Sequence, residues 1–137
     1  MSAVRFAGYA AVFDRTDRGG DVVRKGAFAR AVAAGAEQVP LLWQHRSGEP
    51  IGRIERIAED ERGLRVIARL STDAAAGREA AALLKDGAVG GLSFGYRVRA
   101  ARPGAVRELT DLDLVEISLV TFPMQPLARV HALDEQV

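Results

Sequence analysis

Cysteine is missing from all 137 residues, histidine occurs twice and tryptophan once. Without thiols there is no disulfide, no thiolate nucleophile and no thiolate metal site, and the redox compartment stays undetermined. An excess of either charge is missing too. Lys+Arg 19 against Asp+Glu 18 leaves a net charge of +1 with the signs interspersed, which gives no electrostatic case for nucleic acid. No apolar run approaches the ~20 residues of a membrane-spanning helix. The start, Met1-Ser2-Ala3-Val4-Arg5, lacks the basic segment and apolar run of a signal peptide. A soluble, intracellular protein is expected. Apolar residues at 48% and charged residues at 27% are ordinary for a globular protein, and the length suits one domain with a real core.

What is present is a succession of short strand patterns with two helical ones. Val4 to Phe13 reads as a first strand, followed by the polar loop 14–21 and an extended Val22-Val23. Gly26 to Gly35 is Ala-rich, with Phe28, Ala31 and Val32 on one face, and reads as a short helix. Val39 to His45 is a strand that turns polar at its end. Ile51 to Ala58 and Leu64 to Leu70 flank the turn 59–63 as a hairpin. Asp73 to Asp86 is the strongest helix, with Ser71, Thr72 or Asp73 able to cap it and Gly87 to end it. Gly77 interrupts its pattern. A strand from Gly91 to Val98, an extended run from Val106 to Phe122 and a short strand at Leu127 to Val130 follow. From about residue 131 a mobile polar tail is expected. The whole is expected to be a single domain over 1–137, mainly β with a few helices (α+β), closed or partly closed as a β-barrel with flanking helices.

The candidate chemistry centres on Gly91-Leu92-Ser93-Phe94-Gly95. On a strand Ser93 points away from Leu92 and Phe94, with only hydrogens beside it at Gly91 and Gly95. Glycine in a strand marks close approach of another backbone. The pair therefore reads as room for a peptide substrate beside a nucleophilic hydroxyl, the alternative being a bulge holding a small residue. A serine nucleophile needs a base. His131 lies among residues expected to fray at the surface. His45 ends the face Val39, Leu41, Trp43, where the chain passes from core to solvent, as a base must. It reads equally as an ordinary strand-end histidine. Glu116 lies in Leu112 to Phe122, which is apolar on both faces, so its carboxylate must be paired, hydrogen-bonded or protonated. Its partner is an arginine in one reading and His45 in the other, the latter completing a Ser-His-Glu triad.

Gly-x-Ser-x-Gly is also the nucleophile elbow of α/β-hydrolases, but that motif runs from strand to helix. Here a helix precedes and strand-like Phe94 to Val98 follows. Two distant histidines without a carboxylate cluster give no catalytic metal site, and no cofactor-binding pattern is present.

With these residues in view the chain resembles the prohead maturation proteases of tailed phages and gene transfer agents, a family related in fold to the herpesvirus maturation proteases. The resemblance runs from Phe6 to Val130. It includes Gly8 to Phe13, Asp17 to Val23, Gly26-Ala27-Phe28, Leu41 to His45, Pro50-Ile51-Gly52, Gly63-Leu64, Gly77 to Ala80, Gly91 to Tyr96 and Glu116 to Pro123. It implies a β-barrel serine endopeptidase acting inside the immature capsid, in the host cytoplasm. Its substrates would be scaffold or major capsid protein segments and the protease itself. Ser93 would be the nucleophile, His45 the base and Glu116 the third member. Arg129, or a water it holds, would serve the oxyanion. Self-association is compatible with the resemblance; nucleic acid, membrane, metal and cofactor are not called for. The alternative is a non-catalytic capsid-assembly or scaffold-binding module of the same fold. Lys25 stands where the family often has proline, Met124-Gln125 replace a commoner Ala-Asn, and the chain is short for the family.

Overall fold

The structure is a computed structural model and describes residues 3–136. Its strands are β1 (Ala3–Val12), β2 (Asp21–Val23), β3 (Pro40–Trp43), β4 (Arg46–Glu59), β5 (Gly63–Leu70), β6 (Gly91–Arg102), β7 (Arg107–Val120) and β8 (Val130–Gln136). The helices are α1 (Ala29–Ala34), continued by a 3-10 turn at Ala36–Gln38, and α2 (Ala75–Asp86). In β5 Leu64, Val66, Ala68 and Leu70 are buried, while Arg65, Ile67 and Arg69 alternate with them on the partly exposed face.

One sheet holds all eight strands, in the order β2-β7-β3-β4-β5-β1-β8, with β6 on β7 as a branch. The organising strand is β7. One edge carries β6 antiparallel along most of its length, and the other is shared by two short parallel partners, β2 at residues 107–109 and β3 at residues 117–119. The ladders of the eight strands do not themselves close into a ring, and the expected closed or partly closed barrel is not established by them. A single bridge, Gly91 with Arg129, and the bonds Leu92 N–H to Ala128 O and Val130 N–H to Gly90 O join the start of β6 to the approach to β8.

Three expectations are corrected. The residues from 131 onward do not hang free: β8 pairs with β1 from Gly8 opposite Val130 to Ala3 opposite Gln136, so β1 supplies partners for the backbone of this mixed polar and apolar stretch. Val137 lies outside the described residues. The first helix is shorter than read, because residues 25–28 form turns, with Gly26 at φ 96°, and the helix begins only at Ala29. Helix α2 has Ala74 at its N-cap and no side-chain cap, although Gly87 ends it in the left-handed conformation as read.

Candidate active site

The sequence places His45 on a strand; the structure places it on a turn. β3 stops at Trp43, which pairs with Arg46, and the two residues between them, Gln44 and His45, have φ of 52° and 62°. Positive φ at both central positions marks the tight hairpin turn that Asn-Gly usually occupies. For residues with a Cβ this conformation costs about 1–2 kcal/mol each, so something must hold it. Gln44 N–H donates to Leu119 O at 3.0 Å, its side-chain amide donates to Thr121 Oγ1 at 2.8 Å, and its Oε1 accepts from Thr121 N–H at 3.2 Å. His45 N–H donates to Ser118 Oγ at 3.0 Å. Every one of these bonds goes to β7 or the residue just after it.

The ring of His45 is thereby turned toward Glu116. Nδ1 lies 2.6 Å from Glu116 Oε1, and the Ser118 hydroxyl donates to the other oxygen, Oε2, at 2.6 Å. Glu116 is buried and Ser118 fully so, while the His45 side chain remains 45% exposed. The hydrogen bond to Glu116 holds the imidazole's pKa above its ordinary 6.5, against a smaller opposing effect of burial. A Nδ1–H donated to the carboxylate leaves Nε2 as the free basic nitrogen, facing outward.

Ser93 reaches this array through strand register. It is paired with Ser118, and Gly95 with Glu116. Directly opposed residues share a face with Cβ atoms about 4.5–5.5 Å apart. The buried Ser93 therefore stands beside the very hydroxyl that ties His45 to Glu116. No hydrogen bond joins Ser93 to His45 among the described residues; in unliganded enzymes such bonds are often long and tighten with substrate.

The two glycines beside Ser93 need a different explanation from the one their spacing suggests. A Cβ on Gly95 would lie 2.8 Å from Glu116 Oε1, and one on Gly91 would lie 2.7 Å from Pro123 Cδ and 2.9 Å from Val120 O. The room they make is filled by the chain itself, not kept open for a peptide. Gly95 admits the carboxylate; Gly91 admits Pro123. Arg129 opposes Gly91 through the bridge, which sets its Cβ on the face of Ser93, and its Nε donates to Pro126 O at 2.8 Å. His131 is exposed, as read, with its ring 5.7 Å from that of Tyr9.

Two participants escaped the sequence reading. Strand periodicity put Ser118 on the face of Glu116 but gave it no task. Gln125 was noted only as a departure. It is buried, and its amide accepts from Val12 N–H at 2.7 Å and donates to Val12 O at 3.1 Å, fixing the segment after β7 to the end of β1. A surface cavity of about 570 Å³ lies elsewhere, lined by Val39, Pro40, Arg53 and Glu55 among others, and has none of this chemistry. Among the described residues no group of His, Asp or Glu could hold a metal ion.

A family model described as caudovirus prohead serine protease matches residues 2–137. The chain belongs to that family. It is 34% identical over 133 residues to the prohead protease of Enterobacteria phage HK97, covering 93% of this chain and 59% of that protein. A capsid polyprotein of Pseudomonas phage PAJU2 is 32% identical over 105 residues, covering 69% of this chain and 16% of the polyprotein. The chain thus spans little more than half of the first relative and a small part of the second. Among solved structures, the capsid assembly protease of bacteriophage T4 superposes with TM-score 0.65 at 14% identity, over 85% of this chain and 80% of that one. The KSHV protease, solved with a hexapeptide phosphonate inhibitor, gives 0.63 at 11% over 100% and 66%. The varicella-zoster virus protease gives 0.61 at 13% over 98% and 64%. At these identities the likeness is one of fold: this prohead-protease family member is mainly β with few helices, and similar to the herpesvirus proteases.

Proposed function

We propose that the chain is a serine endopeptidase that cuts scaffold or capsid protein segments, and itself, inside the maturing prohead in the host cell. The observation that carries this reading is the hydrogen-bonded array His45–Glu116–Ser118, in which Ser118 stands directly opposite Ser93. Ser93 Oγ attacks the scissile carbonyl as its proton passes to His45 Nε2. The resulting imidazolium is stabilised by Glu116, which keeps the second carboxylate oxygen on Ser118. Collapse of the tetrahedral intermediate breaks the C–N bond, and His45 returns the proton to the leaving amine. Water then repeats the sequence on the acyl-enzyme. The oxyanion requires donors. Arg129, or a water it holds, is the candidate, because its bridge to Gly91 brings it to the serine strand.

Ser93→Ala, expressed together with the scaffold and capsid proteins of its particle, is expected to leave both the substrate and the protease chain at full length while keeping the wild-type thermal transition. Continued processing by that variant would sink the assignment. The absence of a Ser93–His45 hydrogen bond favours one other reading, a non-catalytic assembly module of the same fold. Wild-type particles that mature while retaining uncut scaffold would support it.

A further inference from the structure

The segment 121–129, between β7 and β8, holds apolar side chains out in water while its alternate residues are fixed inside. Phe122 is 78% exposed, Met124 47% and Leu127 47%. Pro123 and Gln125 between them, and Ala128 just after Leu127, are buried. The buried residues are anchored, and so is the exposed Thr121 at the start of the segment. Thr121 is bonded twice to Gln44, and Pro123 fills the space above Gly91. Gln125 grips both backbone groups of Val12, and Ala128 O accepts from Leu92 N–H. Met124 O accepts from Arg18 N–H at 3.1 Å. A loosely held segment would fold its phenylalanine and methionine against the core. This one is pinned so that it cannot, and a rigid exposed apolar surface is the mark of a recognition site.

Its position says what it recognises. One end is tied to the turn that carries His45, through Gln44; the other is bridged to Gly91, two residues before Ser93. Val120 is opposite Gly91 and Ser118 opposite Ser93. Phe122 therefore lies on from the nucleophile in the direction of β7, at most about 13 Å beyond Ser118 at ~3.3 Å per extended residue. An extended peptide lying across Ser93 covers that distance in about four residues.

We propose that Phe122, with Met124 and Leu127, forms a substrate subsite for a bulky apolar side chain lying a few residues from the scissile bond. The occupant is the peptide substrate, since the segment is tied at one end to the turn that carries His45 and at the other to the strand that carries Ser93. The inference rests on the protease reading and deepens it to a substrate class: extended segments with a large aliphatic or aromatic residue at one fixed distance from the cut.

The test uses the full chain and a mixture of fluorogenic extended peptides in which each position in turn is fixed as Leu, Phe, Ala or Ser. A small fluorophosphonate, too short to reach Phe122, reports whether Ser93 is an activated nucleophile. For the native chain one position should prefer Leu or Phe over Ser. Phe122→Ser should lower kcat/KM for those peptides about tenfold or more, chiefly through KM, and flatten the preference. Phe122→Leu should restore most of it, and fluorophosphonate labelling of Ser93 should persist in both variants. An unchanged preference in Phe122→Ser, with labelling intact, overturns the subsite and leaves the protease reading standing. So does a shift of oligomeric state by sedimentation with unchanged preference, which would make the surface a contact between copies. Absence of both labelling and cleavage in the native chain overturns the protease reading and the subsite with it.

Discussion

The side chain on which the site depends is Glu116, and its two oxygens have different partners. Oε1 lies against His45 Nδ1 and Oε2 is held by Ser118. Ser118→Ala removes a buried donor to the carboxylate and an acceptor for His45 N–H together. A hydrogen bond to a charged group contributes about 1.5–3 kcal/mol, so kcat should fall on the order of tenfold to a hundredfold with KM little changed. The acid limb of the pH–rate profile should also move upward, as the carboxylate concentrates its charge on His45. A profile with unaltered limbs would make Ser118 merely structural. In the native chain the rate should rise with pH through a value above 6.5, because the hydrogen bond to Glu116 favours the protonated imidazole. Stability runs the other way: the contribution of this raised pKa is complete below 6.5 and is lost as pH rises through the folded value. Glu116→Gln should bring the acid limb back toward 6.5 and reduce kcat about 10⁴-fold, as when a triad loses its carboxylate. Glu116 was legible in the sequence because a carboxylate in a strand with two apolar faces has nowhere to be exposed. Ser118 was not, since a serine on the same face is unremarkable until its partners are seen. The role of Gly95 was misread: its missing Cβ serves a neighbour on the next strand, and sequence spacing carries no information about which strand that is.

At the scale of elements, local chemistry showed where structure starts and stops but not how it bends. The hairpin of β4 and β5, the helix ending at Gly87 and the long extended run of β7 were readable from periodicity and turn residues. The turn that carries His45 was not, because Gln and His have no preference for positive φ; tertiary hydrogen bonds to Leu119, Ser118 and Thr121 impose it. Gln44→Ala removes two of these bonds, each contributing about 0.5–1.5 kcal/mol. It should lower both the urea midpoint and kcat, whereas an effect on stability without one on rate would show that the turn holds its shape unaided. Gly77 makes a sharper case. In an exposed helix Gly→Ala gains about 1 kcal/mol, and the sequence pattern alone suggests that gain here. A Cβ at Gly77 would lie 2.0 Å from Ser71 O and 3.0 Å from Ile51 O. Overpacking of this kind typically costs about 1–3 kcal/mol, so Gly77→Ala should unfold at lower urea than the native chain.

For the molecule as a whole, the sequence yielded a mainly β class but not the path of the sheet. β7 pairs in parallel with β2 and β3, segments more than seventy positions earlier, and no local signal encodes which distant strands adopt which edge. Such pairings must close long loops before they gain any contact, so refolding should fall in the range of milliseconds to seconds. Stopped-flow tryptophan fluorescence at Trp43, on the strand that joins β7, would read it; a microsecond phase of full amplitude would contradict this topology. The pairing of Ser93 with Ser118 and of Gly95 with Glu116 has one more consequence, for insertions and deletions. Removing a single residue from β6 between Gly91 and Gly95 would shift every later rung by one and turn every later side chain of β6 to the opposite face. Substitution can alter this site a residue at a time, whereas a change of length in β6 or β7 dismantles it in one step.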